Sequence, residues 1–340
     1  KNRNLAEFEQ TLTRKLSEFT STRDARQQTI LADHESRRRE VSDRAEADSA
    51  RAAEDHAATL KSIQSRFASK WSALAGGWHS AFGQFESAAD RIAAAAADAF
   101  PAWNEVDPDR VAPAAAVPAA IPFGTYTVDL EQLTGGLPAS PDLRPARTRF
   151  ELPALLPTRP EAALLVTADD ADRRRADEVL SAVMLRLLTS LPPGRVLFTL
   201  IDPRNLGGTF SAFMHLADYD RRLVGERIWT DPIQIEQRLG ELTVHMEDVI
   251  QTCLRNEYAS LVEYNAQAGQ FAEPYHVLVV ANAPANFTEA AANRLHGIIE
   301  NGPRCGVFTL ICADEQHEPH RGFSLDELAK HAVHLRVRRD

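Results

Sequence analysis

Most of the features that settle a function outright are missing from this sequence. Cysteine is scarce: Cys253, Cys305 and Cys312 are the three in 340 residues, and no CxxC pair occurs. That excludes a disulfide framework and fits a reducing, cytoplasmic compartment. The longest apolar runs, such as Val277-Leu278-Val279-Val280-Ala281, fall far short of the roughly 18–20 residues that cross a bilayer, so no membrane contact is expected. Basic residues are not in excess, with 38 Lys and Arg against 48 Asp and Glu and a formal net charge of -10. A protein that coats nucleic acid carries a basic face, so contact with DNA would be confined to a few local sites. No GxSxG, HExxH or GxGxxG pattern is present, which leaves the common hydrolase, zinc-peptidase and dinucleotide signatures without support.

What is there reads as ordinary globular protein, 44% hydrophobic and 25% charged. A chain of this length exceeds the roughly 250 residues at which one core usually splits, so two structural regions are expected. Residues 1–100 form a helical arm: proline is absent before Pro101, and Leu5, Phe8, Leu12, Leu16 and Phe19 step by three and four as a coiled-coil-like seam would. Around Arg37-Arg38-Arg39 charges alternate and large apolar residues thin out, as in a solvated arm. The seam resumes through Leu60, Ile63, Phe67, Trp71, Leu74, Trp78, Phe82 and Phe85, interrupted by Gly76-Gly77. Such a pair weakens a helix interior and predicts a bend or a helical hairpin. The arm reads either as a spacer or as a surface for a protein partner or a second copy, which makes a homo-oligomer the expected assembly.

Residues 101–122, with Pro108, Pro113 and Pro118 among Ala and Val, read as an extended linker. Residues 123–160 read as a small lead-in in which Gly124-Thr125-Tyr126-Thr127-Val128-Asp129-Leu130 alternates as a strand before the turn Thr134-Gly135-Gly136. From residue 161 to 340 apolar strands alternate with amphipathic helices. Strands are expected at 163–166, 196–201, 277–280 and 307–311, and helices at 173–190, 233–264 and 289–300. The fold class is therefore α/β, a mostly parallel sheet with helices on both faces, preceded by the long helical region.

Ligands of parallel α/β sheets bind at the carboxyl ends of the strands, and the loops there carry a resemblance. Asp202-Pro203-Arg204, His245-Met246-Glu247, the pair Tyr264-Asn265, the strand Tyr275 onward, and Gly302-Pro303-Arg304-Cys305-Gly306 follow one another in an order and spacing similar to the motor domains of FtsK/SpoIIIE-type DNA translocases. The resemblance covers a little under half of the chain. It implies a RecA-like P-loop NTPase-type domain. Within that group, proteins with a long helical region and tandem motor domains are the nearer resemblance, and secretion ATPases of the EccC kind the other. The start on Lys1 and the strand-like final run His334-Leu335-Arg336-Val337-Arg338 read as a fragment of a longer chain.

Where the resemblance puts a nucleotide, the necessary residues are gone. A P-loop needs GxxxxGK[ST] so that backbone N–H groups, a lysine and a hydroxyl can hold phosphates and Mg²⁺. Here Ala168-Asp169-Asp170-Ala171-Asp172-Arg173-Arg174-Arg175 follows the first strand, and Ala281-Asn282 stands where the resemblance calls for two acids. The expectation is a pseudo-ATPase with no cofactor of its own, with ATP, Mg²⁺ and DNA engaged through a motor domain further along a longer protein. The alternative is a scaffold that recruits a partner, as in EccC-like ATPases. Arg173, Arg174 and Arg175 can be read as an anion site or as a solvated helix start. Arg304 can be read as a trans-acting arginine toward a neighbouring subunit or as a structural ion pair. A metal site built from Cys305, Cys312, His317 and His320 is set aside in favour of ordinary buried cysteines, and Asn205-Leu206-Gly207-Gly208 reads as a turn.

Overall fold

The computed structural model describes residues 2–105, 116–159, 161–205, 207–225, 227–315 and 321–338, with side chains from residue 5 onward. Pro108, Pro113, His317 and His320, singled out above, lie outside the described residues. Two compact units are present: residues 1–83 with Ser140–Leu143, and residues 84–139 with 144–340.

The first unit is built on helix α1, Asn2–Ala99. Every described side chain from residue 5 to residue 70 is exposed. The helix persists there through local means: Ala-rich sequence, no proline, and ion pairs one turn apart such as Arg37–Asp33 at 2.9 Å and Arg14–Glu18 at 3.7 Å. Contrary to expectation, Gly76-Gly77 makes neither bend nor hairpin, and α1 runs through both. Glycine costs only about 1 kcal/mol relative to Ala in a helix interior, and an unbroken hydrogen-bond ladder with good formers on each side absorbs that. Packing supports this stretch: the Trp71 indole donates to Asp142 at 3.3 Å and the Trp78 indole to the Leu143 carbonyl at 2.9 Å.

In the second unit the end of α1 contributes buried Ala89 and the more exposed Phe85, whose ring meets Phe150 edge-on at 5.1 Å. The lead-in is a hairpin of β1, Ala120–Asp129, and β2, Arg149–Pro157, paired antiparallel. β1 thus begins inside the stretch read as linker. Between the strands Asp129 caps the short helix α2, Leu130–Thr134, and Gly135 ends it at φ 72.

The main sheet has five parallel strands in the order β4-β5-β6-β3-β7. These are β3 Ala163–Ala168, β4 Val196–Ile201, β5 Tyr275–Ala283, β6 Val307–Asp314 and β7 Val333–Val337. All of β3 is buried, as is β5 except His276 and β6 up to Ala313, which is why they read as continuous apolar runs. Helix α3, Arg173–Ser190, packs beside β1. Helices α4, Pro232–Val249, α6, Glu289–Asn301, and α7, Leu325–Ala329, pack in succession on one another. Since right-handed crossovers leave β3 toward β4 in one direction and β4 to β7 in the other, the two sets cover opposite faces. The stretch 233–264, expected to be largely helical, holds two helices. After α4 a π-turn at Ile250–Leu254 gives way to Arg255 and Asn256 at positive φ, and α5, Leu261–Ala268, starts afresh with Ser260 as its cap.

Candidate functional site

The connections that leave the neighbouring strands β3 and β6 run in opposite directions across the sheet, so the crevice at the carboxyl ends of β3, β6, β5 and β4 is where a ligand would sit. A polar network fills it. Arg173, the first residue of α3, is only 14% exposed and places its guanidinium across the crevice. It donates to the Asn282 carboxamide oxygen, to Asp314 at the end of β6 at 3.2 Å, and to Asp170 at 2.7 Å. Asn282, near the end of β5, is held at φ 60, a conformation asparagine tolerates better than most residues. Its amide nitrogen donates to Asp202 at 2.9 Å. Asp202 follows β4, is fully buried, and also accepts from the backbone N–H groups of Asn205 at 3.3 Å and Thr209 at 3.1 Å. Arg204 reaches within 3.7 Å of both Asp170 and Asp314.

One turn along α3 lies Asp177, whose Oδ1 is buried and without a hydrogen-bond partner. Burial pushes its carboxyl up to about 6, the nearby Asp202 adds to this, and Arg173 opposes both. The Cys312 thiol on β6 is pushed up to about 12, chiefly by burial and then by Asp177, so it is an inert core thiol. At the end of the next strand pair, Glu315 accepts from Thr167 at 3.3 Å and is paired with Arg336 and Arg338.

This arrangement occupies its own centre and carries more carboxylates than guanidinium groups. Arg173 occupies the centre with its donors committed to two carboxylates and an amide, and an incoming anion would have to displace it from Asp314. The crevice offers no lysine among its described residues, and Asp170, Asp177, Asp202 and Asp314 would oppose a triphosphate. The residues present do not fit a nucleotide with Mg²⁺.

Of the residues singled out from sequence, Ala168, Arg173, Asp202, Arg204, Ala281 and Asn282 come together here, and Pro203 is buried beside Asp202. Arg174 and Arg175 do not: they are exposed and pair with Glu178 at 3.0 Å and Asp172 at 3.7 Å. The remaining family-like residues lie toward the amino ends of the strands. The Cys305 thiol donates to the Met246 carbonyl at 3.7 Å, and Glu247 is exposed. Asn265 clamps Glu273 through two hydrogen bonds of 2.8 and 2.9 Å, and Tyr264 meets Tyr258 edge-on. Gly306 adopts φ 75 against Leu261. Arg304 is exposed between buried Pro303 and Cys305 in the turn that enters β6. The rings of His245 on α4 and His276 on β5 meet with centroids 4.2 Å apart at a tilt of 39°. Burial holds both imidazoles below their ordinary range, His276 down to about 4 with His245 adding to the effect.

Sequence reasoning missed Asp177 and Asp314. The available signal for Asp177 was its place four residues after Arg173, one helical turn on the same face. Asp314 ends a strand in the same layer as Asn282, which only the strand order reveals.

No family model and no curated protein matches the sequence. Solved structures do. The chain is similar to EssC (ATPases 2 and 3) from Geobacillus thermodenitrificans, with 16% identity, TM-score 0.44, 66% of this chain and 39% of that one covered. It is similar to the cytoplasmic domain of the type VII secretion ATPase EccC from Thermomonospora curvata, with 19% identity, TM-score 0.45, and coverage of 69% and 25%. The pCW3 conjugation coupling protein TcpA, solved in a monomer form with ATPγS, aligns with 12% identity, TM-score 0.42, and coverage of 64% and 57%. These neighbours are of the FtsK/SpoIIIE type that the motifs resemble. The chain spans less than two thirds of each of them, and at these scores the likeness carries nothing about activity. Among the described residues no helix is long and apolar enough to cross a membrane.

Proposed function

We propose that this chain is a non-catalytic, FtsK-like ATPase-type module of a larger cytoplasmic ATP-dependent DNA translocase or remodelling enzyme, in which ATP, Mg²⁺ and DNA are engaged by a separate motor domain. The observation that supports this reading best is the place of Arg173. In a working P-loop that position opens a helix whose free N–H groups and lysine receive phosphates. Here a committed guanidinium tied to Asn282, Asp314 and Asp170 takes up the space. A domain of this kind contributes contacts to a ring rather than turnover, and exposed Arg304 is the side chain suited to reach a neighbour. Titration of the chain with a fluorescent ATP analogue in Mg²⁺ tests the reading: no competable binding up to millimolar nucleotide is expected. Micromolar affinity competed by ATP would overturn it. The second reading, a scaffold that recruits a protein partner as part of a secretion-type ATPase, is favoured by the exposed apolar seam of α1.

A further inference from the structure

The apolar seam of α1 keeps a single phase over its whole exposed length. Phe8, Phe19, Ile30, Val41, Ala52, Ile63 and Leu74 recur every eleven residues, with Leu5, Leu16, Leu60 and Trp71 three positions before members of that series. An eleven-residue repeat is about 3.67 residues per turn, close to the helix's own period, so the stripe runs almost straight along one side. It is uncovered: Phe8 is 67%, Phe19 79%, Ile30 62% and Val41 69% exposed. Only near Trp71 and Trp78 does the unit's own segment Ser140–Leu143 lie over it.

Charge along the helix alternates in blocks that complement the same helix reversed. Residues 5–13 carry Glu7 and Glu9, and residues 58–66 carry Lys61 and Arg66. Between 14 and 31, Arg14, Lys15, Arg23 and Arg26 outweigh Glu18 and Asp24, whereas between 40 and 57 six acidic residues outweigh Arg44 and Arg51. At the centre Asp33 and Glu35 stand next to Arg37-Arg38-Arg39. Folding this pattern about its midpoint sets each block against its opposite, and the same operation sets Phe8 against Ile63, Phe19 against Ala52 and Ile30 against Val41. A parallel, in-register pair would instead stack Arg37-Arg38-Arg39 on itself, which like-charge repulsion disfavours.

We propose that residues 5–66 of α1 pair with the same residues of a second copy of this chain as an antiparallel two-stranded coil about 90 Å long. The two-fold axis passes between Glu35 and Ser36, every apolar layer is repeated by symmetry, and the central arginines of one copy face Asp33 and Glu35 of the other.

Cross-linking of the 340-residue chain tests both the occupant and the direction. The native cysteines are buried and stay out of the reaction. An equal mixture of Ile30→Cys and Val41→Cys chains should form a mixed disulfide under mild oxidation. Each variant alone should not, because its own pair would lie about 16 Å apart, beyond disulfide reach. Ile30→Glu should raise the dimer dissociation constant by about 100-fold or more while the melting of the α/β unit stays unchanged. A monomer at tens of micromolar by sedimentation, or self-cross-linking of Ile30→Cys alone, overturns the proposal; the first points to a different partner and the second to a parallel pair.

Discussion

The two ends of the parallel sheet both carry residues that resemble one family, yet they stand on different physics. At the amino ends the buried ones among these residues have a packing reason that any occupant of the fold would need. Gly306 sits at φ 75 where a Cβ would come 2.5 Å from Leu261, and Asn265 satisfies both backbone groups of Glu273. At the carboxyl ends the polar residues are costly to bury and have no packing reason: Asp202 is fully buried and Asp177 leaves an oxygen unpaired. Resemblance at the amino ends therefore reports the fold, and departure at the carboxyl ends reports the chemistry.

The largest effect expected is at the amino end. Gly306→Ala must accept a left-handed backbone and displace the fully buried Leu261, and should destabilise the chain by about 3–4 kcal/mol, read from the urea midpoint. A loss under about 1 kcal/mol would mean that the turn into β6 is pliable and that the amino end is not set by packing.

Arg173→Ala attacks the other end. It strips Asp314, Asp170 and Asn282 of their shared donor, and breaking a largely buried pair costs about 3 kcal/mol. Pairing it with Asp314→Asn should recover about 1 kcal/mol or more as coupling in a double-mutant cycle. Additive losses would show that Arg173 acts on the fold by itself and not as the hub of a network.

How far this division could be read from sequence depends on range. β3, β5 and β6 are legible because burial on both faces writes them as apolar runs, and the N-terminal helix is legible from its three-and-four seam. The network is not, since Arg173, Asn282, Asp202 and Asp314 come from four strand ends that only the order β4-β5-β6-β3 makes neighbours. The helix through Gly76-Gly77 misled for the opposite reason: a local penalty was visible, while the long ladder and the indole contacts that outweigh it were not.

Acid titration sharpens the contrast, because the two ends respond with opposite sign. His276 titrates near 4 in the folded chain against an ordinary value of 6.5, so as pH falls through that window the unfolded chain takes the proton first and stability is lost, by about 2 kcal/mol. Asp177 titrates near 6 against 3.8. The unfolded chain ionises first as pH rises, so its contribution is lost on going upward through that interval. Asp177→Asn should therefore stabilise the chain at pH 7 by about 1–2 kcal/mol, allowing for its partial exposure. In that background the slope should come from the histidines that burial holds below their ordinary range, His245, His276, His296 and His334, and His276→Gln should lessen it. A chain whose denaturation midpoint stays level from pH 7 to 4.5 in the Asp177→Asn background would remove the histidine pair from the account.

The smallest effect on stability is expected at Arg304, and it is the one that bears on the proposed module. Its neighbours Pro303 and Cys305 are buried while it is exposed, and no ion pair holds it among the described residues. It therefore belongs to neither class of residue distinguished above. A guanidinium keeps its charge at any working pH and can hold two phosphate oxygens at once, so an outward arginine with no structural task suits a role across a subunit boundary. Arg304→Ala should change the melting free energy by less than about 0.5 kcal/mol. In a longer protein carrying an active motor domain, the same substitution should lower DNA-stimulated ATP turnover per folded molecule. Melting and turnover measured on one purified variant separate the alternatives: a stability loss above 1 kcal/mol with turnover intact makes Arg304 part of the turn that launches β6, and the trans-acting role then falls.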